Sequence, residues 1–159
     1  MTASIEISVG PADFDVSTEL ARLRAGDGGA GAVVSFVGMV RDRNDGRDVQ
    51  AMALEHYPGM TERSIHAMAE AAVQRFGLHA VRVIHRVGTL QPLDQIVLVA
   101  VTAAHRGEAF QGCEFLMDYL KIAAPFWKKE TAPDGSSRWV DARVADDAAA
   151  QRWGIALPG

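Results

Sequence analysis

The chain has 159 residues and 17.1 kDa, with 48% hydrophobic residues, 23% charged residues and a formal net charge of −4. That length predicts one domain, residues 1–159, with enough apolar content to bury a core unaided, and no run nears the roughly 18 apolar residues of a membrane span. The acidic balance argues against a general affinity for nucleic acid, and the lone Cys113 excludes an intrachain disulfide and a cysteine-rich zinc site, which fits a reducing compartment.

Met1 to Gly10 lacks the basic and apolar blocks of a secretory signal, so the expected address is the cytoplasm. Ile5, Ile7 and Val9 alternate with polar residues as in a half-buried strand, which Gly10-Pro11 ends, and a short helix is predicted over Ser17 to Arg24. The β-branched run Ala32 to Val40 reads as a buried strand, followed by the polar loop Arg41 to Asp48. Val49 to Tyr57 reads as a returning strand, antiparallel to the previous one across that loop. Ile65, Met68, Ala69, Ala72, Val73 and Phe76 form one stripe of a helix over Thr61 to Phe76, with Thr61 as its expected cap and Gly77 as its left-handed stop.

A strand over Ala80 to Val87, a turn at Gln91 to Asp94 and an unbroken apolar strand over Ile96 to Ala104 follow, the last expected at the centre of a sheet. A helix over Glu108 to Ile122 puts Phe110, Cys113, Met117 and Leu120 on one side, and Pro125 ends it. Strands over Phe126 to Thr131 and Arg138 to Val144 flank Pro133-Asp134-Gly135 as a hairpin. Hairpins mixed with helices in this order argue for an α+β fold.

The chemistry is expected where charges meet element ends. Arg41, Arg43 and Arg47 follow a buried strand. His105-Arg106 stands before a helix, where free backbone N–H groups favour an anion. Lys121, Lys128, Lys129, Arg138 and Arg143 add five cations, opposed between residues 121 and 143 only by Glu130, Asp134 and Asp141. The excess suggests a pocket for a carboxylate or phosphate. Read singly, each Lys or Arg is more often a solvated surface group, and His105 is as readily a plain strand-end histidine. Cys113 falls on an apolar stripe and reads as core, and Met60, Met68 and Met117 read as core filler. The five histidines show no zinc-ligand spacing on one helix, so no metal and no cofactor is expected, and no P-loop, dinucleotide or nucleophile-elbow motif is present.

Five segments then match a known pattern in order and spacing: Leu54 to Met60 (LEHYPGM), Val83 to Gly88 (VIHRVG), Ala104 to Arg106 (AHR), Met117 to Lys121 (MDYLK) and Pro125 to Glu130 (PFWKKE). They resemble the large catalytic subunit of molybdopterin synthase over about residues 5 to 153. The resemblance implies an α/β hammerhead with an additional antiparallel β subdomain. It also implies a homodimer that binds, at each end, a small ubiquitin-like sulfur-carrier subunit whose Gly-Gly tail ends in a thiocarboxylate, a heterotetramer overall. The implied reaction is sulfur transfer from that thiocarboxylate to cyclic pyranopterin monophosphate, precursor Z, to form the dithiolene of molybdopterin.

By matching position, the resemblance makes Lys121 the catalytic lysine and Lys128 its partner near the carrier terminus. It makes Arg41, His105, Arg106 and Arg143 substrate-binding residues, and Phe36 and Met117 contacts of the carrier tail, in a pocket built across the dimer interface. Pro92-Leu93-Asp94 departs from a common Pro-Gly-Asp turn. Two competing readings stand beside this one: a non-catalytic module that only binds the carrier tail, which needs no Lys121, and a thiol or persulfide sulfurtransferase, which needs Cys113.

Overall fold

The computed structural model describes residues 2–44, 46–140 and 151–154. Its elements are β1 (Ser4–Gly10), α1 (Val16–Arg24), β2 (Ala32–Met39), β3 (Arg43–Asn44), β4 (Arg47–Asp48), β5 (Ala51–His56), α2 (Met60–Phe76), β6 (Ala80–Arg86), β7 (Gly88–Leu90), β8 (Gln95–Ala103), α3 (Arg106–Ile122), β9 (Phe126–Thr131) and β10 (Ser137–Trp139). One sheet has the order β1-β6-β8-β2, with β1 and β6 parallel and the other pairs antiparallel. The apolar run of β8 is therefore interior, as its composition predicts.

Both faces of this sheet are covered, which is why β8 does not alternate apolar with polar. Val97, Val99 and Val101 face α2 and α3, where they pack with Val81, Val83, Ile65, Ala69 and Leu116. Leu98 and Ala100, pointing the other way as the two-residue period requires, pack with Ile84 against Phe14, Leu20 and Leu23 around α1. Arg82 is the buried charge in this layer. Its Nε donates to Glu19 at 2.9 Å and its Nη1 to the Ser8 hydroxyl at 3.0 Å, so the guanidinium is paired where it is buried.

α2 ends at Gly77, whose φ of 67° is the left-handed stop expected there. Its start differs from expectation. Gly59 is the cap, with its N–H donating to the Glu62 carboxylate at 3.2 Å, and Thr61 is buried one place inside the helix. The Thr61 hydroxyl accepts from the Tyr57 N–H at 3.0 Å and donates to the Pro125 carbonyl at 3.2 Å, tying the start of α2 to the connector after α3.

On α3 the buried stripe is Ala109, Cys113, Leu116 and Leu120. At 100° per residue, Phe110 and Met117 stand to one side of it, so Phe110 is exposed and Met117 only half-buried instead of central. Met60, also expected as core filler, is exposed. The turn at residues 151–154 packs Trp153 edge-on to Phe76 and Phe115, with its indole N–H donating to Asp118.

The second sheet, β10-β9-β5-β7, is antiparallel throughout, so the fold is α+β with an added β subdomain. The expected pairing of strand 32–40 with strand 49–57 does not occur: β2 pairs with β8, and β5 pairs with β7 and β9. The reason lies in the connection. Val40 is drawn to the β7–β8 turn by backbone bonds to Asp94 and Leu93, and the loop makes its own ladder, Arg43 opposite Asp48 and Asn44 opposite Arg47. The β9–β10 hairpin forms as expected, with Arg138 opposite Glu130, while the expected continuation of its second strand to Val144 lies outside the described residues. Leu93, in the turn that departs from Pro-Gly-Asp, has φ 77°, a conformation that suits glycine better.

Candidate functional site

The two sheets meet at a short connector. α3 runs out at Ile122, Pro125 blocks its continuation, and the chain enters β9 at Phe126. Lys121 lies in the last turn of α3, where a cation suits the helix dipole, and is exposed. Phe126 stacks on the buried His85 ring of β6, with centroids 3.8 Å apart and planes 18° apart. Lys128, half-buried, is two residues further along β9 and hence on the same face of the strand as Phe126 and Glu130. This junction of α3, β6, β9 and β5 holds both lysines of the sequence reading.

The electrostatics of the junction show in His85. Burial pushes its imidazole down to about 4, the positive charges of Lys121 and His56 push the same way, and the hydrogen bond to the Arg86 carbonyl opposes them. A carbonyl oxygen only accepts, so Nδ1 at 2.8 Å carries the hydrogen, and at neutral pH the ring is uncharged. The neutral ring adds no positive charge behind Lys121.

Arg41, itself exposed, is tied to β9 through two buried polar side chains. Its Nη2 donates to Asn44 Oδ1 at 2.9 Å, Asn44 Nδ2 donates to Glu130 Oε2 at 2.8 Å, and Glu130 Oε1 accepts from Arg138 at 3.4 Å. Asn44 and Glu130 are both buried. The carboxylate that opposes the cations in the sequence is therefore placed among them, and it holds two arginines on the face of β9 that carries Lys128.

The remaining expected residues are elsewhere. His105 caps α3 in an extended conformation with no side-chain bond to the first turn, so the N–H groups of that turn lie next to Arg106, and both side chains are exposed. Gly31 sets this cap: a Cβ there would lie 2.2 Å from the Ala104 carbonyl oxygen, so only glycine lets β2 enter beside it. His105-Arg106 and Lys121 are at opposite ends of α3. Fifteen residues at 1.5 Å per residue separate Arg106 from Lys121 by about 22 Å along the axis, so one chain does not bring these groups together. Phe36, on the edge strand β2, is 39% exposed, with its ring over Gly38, and alternation puts it on the α3 side with Val34. Met117 packs partly on the main core. Arg143 lies outside the described residues.

Cys113 is buried, its Sγ lies 3.7 Å from the Val99 carbonyl oxygen, and burial, with Glu114 adding, pushes the thiol up to about 12. It is a protonated core thiol at neutral pH, which removes the ground for a thiolate or persulfide mechanism. Among the described residues no three His, Cys, Asp or Glu side chains are grouped to hold a metal, and no helix is long and apolar enough to cross a membrane. Asn44, Glu130 and His85 are given no site role by the sequence reading, although His85 and Glu130 lie in matched segments. A buried Asn inside a charged loop leaves no periodic or spacing signal, and Glu130 reads there only as a stray negative charge.

The family model for the MoaE protein matches residues 9–123. A protein of Ralstonia nicotianae named molybdopterin synthase catalytic subunit is 61% identical over 149 residues, 94% of this chain and 84% of that one. Among solved structures, the molybdopterin biosynthesis MoaE protein from Burkholderia ambifaria superposes with a TM-score of 0.80 at 54% identity, covering 98% of this chain and 100% of that one. Molybdopterin synthase from Staphylococcus aureus superposes with a TM-score of 0.77 at 27% identity, covering 84% and 96%. With the family model matching residues 9–123 and 61% identity to a relative over 94% of its length, this chain belongs to the MoaE family.

Proposed function

We propose that this chain is the catalytic subunit of a molybdopterin synthase, a sulfurtransferase that moves sulfur from the C-terminal thiocarboxylate of a small ubiquitin-like carrier to precursor Z. The observation that supports this reading is the placement of Lys121 and Lys128 on either side of the α3–β9 connector, with Arg41 tied through Asn44 to Glu130 of the same strand, in a chain 61% identical to a relative of that name. A thiocarboxylate and a phosphorylated pterin repel each other, most of all in a poorly hydrated groove, and cations on one face offset that repulsion.

In this mechanism the thiocarboxylate sulfur bonds to a carbon of the pterin side chain as the oxygen on that carbon takes up a proton and leaves, as water or as the freed phosphate-ester oxygen. Water then cleaves the acyl–sulfur bond, leaving the sulfur on the pterin and the carrier as a carboxylate. A second carrier repeats the step to complete the dithiolene. Lys121 moves protons during addition and cleavage. An ordinary lysine titrates near 10.4, about 3 units above a useful proton acceptor, so the role calls for neighbouring cations such as Lys128 to disfavour the ammonium form. Lys128 pairs with the carrier terminus, Arg41 and Arg143 hold the substrate anion, and Phe36 and Met117 flank the carrier tail. His105 and Arg106 stand at the far end of α3 from Lys121, so a pocket that uses all of them is completed by a second copy of the chain. The assembly is then a homodimer with a carrier at each end.

The test is to incubate the purified chain with precursor Z and thiocarboxylated carrier and to detect dithiolene product by mass spectrometry. Lys121→Ala is expected to slow product formation by about 100-fold or more, the usual scale for losing a general acid–base group. Full turnover in that variant would overturn the role of Lys121, and carrier binding by the parent chain with no dithiolene product would reduce the chain to a binding module.

A further inference from the structure

Arg41 is exposed at the end of β2, on a loop whose described ladder is two residues long, yet its guanidinium has a fixed partner. That partner is unusual. Asn44 is 3% exposed, and both ends of its amide are used: Oδ1 receives Arg41, and Nδ2 donates to Glu130, 86 residues away in sequence. A guanidinium only donates and an ionised carboxylate only accepts. A side chain between them must therefore accept on one side and donate on the other, at the length of two carbons from the backbone. Asparagine does this. Aspartate would set a second carboxylate against Glu130, and an aliphatic residue would leave a buried carboxylate oxygen unpaired.

We propose that Asn44 is a positioning residue that aims the Arg41 guanidinium at the substrate anion by locking it to Glu130 on the face of β9 that carries Lys128. It touches no substrate and acts through Arg41, so it rests on the reading of Arg41 as a substrate-binding group. The bridge also couples two parts of the molecule that no strand ladder joins among the described residues, since β3 and β4 pair only with each other and β9 pairs with β5 and β10. Its benefit is orientational: an exposed arginine loses less freedom on binding an anion if its plane is already fixed.

The direction of the hydrogen bonds gives a specific test by double-mutant cycle. Asn44→Asp places two carboxylates face to face, and Glu130→Gln offers one oxygen to two donors and so turns its NH2 against either Asn44 or Arg138, so each single variant breaks the chain of bonds at one link. The double variant restores it with the polarity reversed. The new carboxylate at position 44 then accepts from Arg41 and from the new amide nitrogen at position 130, while the amide oxygen at position 130 still accepts from Arg138. Steady-state turnover of precursor Z by the full chain with thiocarboxylated carrier is expected to show KM raised about tenfold in each single variant, with kcat within about threefold. The double variant is expected to return KM to within about threefold of the parent. Thermal melting of all variants separates aim from folding. Unchanged KM in both single variants overturns the proposal, as does a double variant whose KM rise is the product of the two. A KM rise that follows the loss of melting temperature variant by variant overturns it too. Arg41→Ala distinguishes the two layers of the argument. If it leaves KM unchanged, Arg41 is outside the pocket and both readings fall. If it raises KM while Asn44→Asp does not, only the positioning role falls.

Discussion

The main sheet and the β9 junction are built on opposite terms. In the main sheet, Val99, Val101, Leu98 and Ala100 have no exposure at all, both faces are closed by helices, and the buried Arg82 is paired with Glu19 and Ser8. At the junction, a small cluster of Val40, Met52, Leu54 and Leu90 backs a surface of cations, and the buried groups are an asparagine, a glutamate and a histidine. Cohesion comes from apolar area in the first region and from directed hydrogen bonds in the second. The difference teaches where change is tolerated. The sheet accepts any substitution that keeps volume and polarity, while the junction accepts only those that keep the sense of each donor and acceptor.

The comparison can be broken first at the sheet. Leu98→Ala empties a fully buried position between β6, β2 and α1 and is expected to cost about 2–5 kcal/mol of stability in denaturant melts, with KM for precursor Z unchanged below the melt. A change in KM at constant fold would mean that the two regions are not separable.

The junction can be probed next by acid. The unfolded His85 takes a proton near 6.5, while the folded ring refuses it until about 4, so stability is whole above 6.5 and is lost as pH falls through that window. The group accounts for about 2 kcal/mol lost between about pH 7 and about pH 5. His85→Phe keeps the ring stack on Phe126 and removes the proton site, so its urea midpoint is expected to fall less than the parent's over that range. Equal falls would show that the buried imidazole does not report on the junction. Asp13, Asp27 and Asp134 are held below their ordinary 3.8 by hydrogen bonds and act at lower pH.

Two smaller effects sharpen the boundary. Cys113→Ala removes a buried sulfur and is expected to cost about 1 kcal/mol while leaving dithiolene formation intact, because the thiol belongs to the core. Loss of turnover at full stability would restore the thiol mechanism. Leu93→Gly relieves a left-handed backbone at a residue that is 76% exposed and is expected to raise stability by about 0.5–1 kcal/mol, measured by melting temperature. A lower midpoint would show that the Leu93 side chain contributes more than its backbone costs.

The elements of this chain were legible because their signals are local. The 3.6-residue stripe of α2, the stop at Gly77, the break at Pro125, the hairpin at Pro133-Asp134-Gly135 and the double-sided run of β8 each follow from short-range geometry or from burial on two faces. The matched segments carry Lys121, Lys128, His105 and Arg106, and through them the family. Strand pairing was not legible: the loop from Arg41 to Asp48 has the length of a hairpin connection, and nothing local shows that Val40 is bound instead to the turn at Leu93 and Asp94. Nor was the bridge of Asn44 and Glu130, because a hydrogen bond across 86 residues is a product of the fold and leaves no periodicity behind. The sequence by itself determined the three helices and the longer strands and which residues carry charge, since propensity and periodicity act within a few turns, while the short strands β3, β4 and β7 carry too few residues for either to show. Only the tertiary structure decided which strands meet, that α3 holds His105-Arg106 and Lys121 at opposite ends, and which buried polar groups aim the arginines, since those depend on how distant segments close over one core.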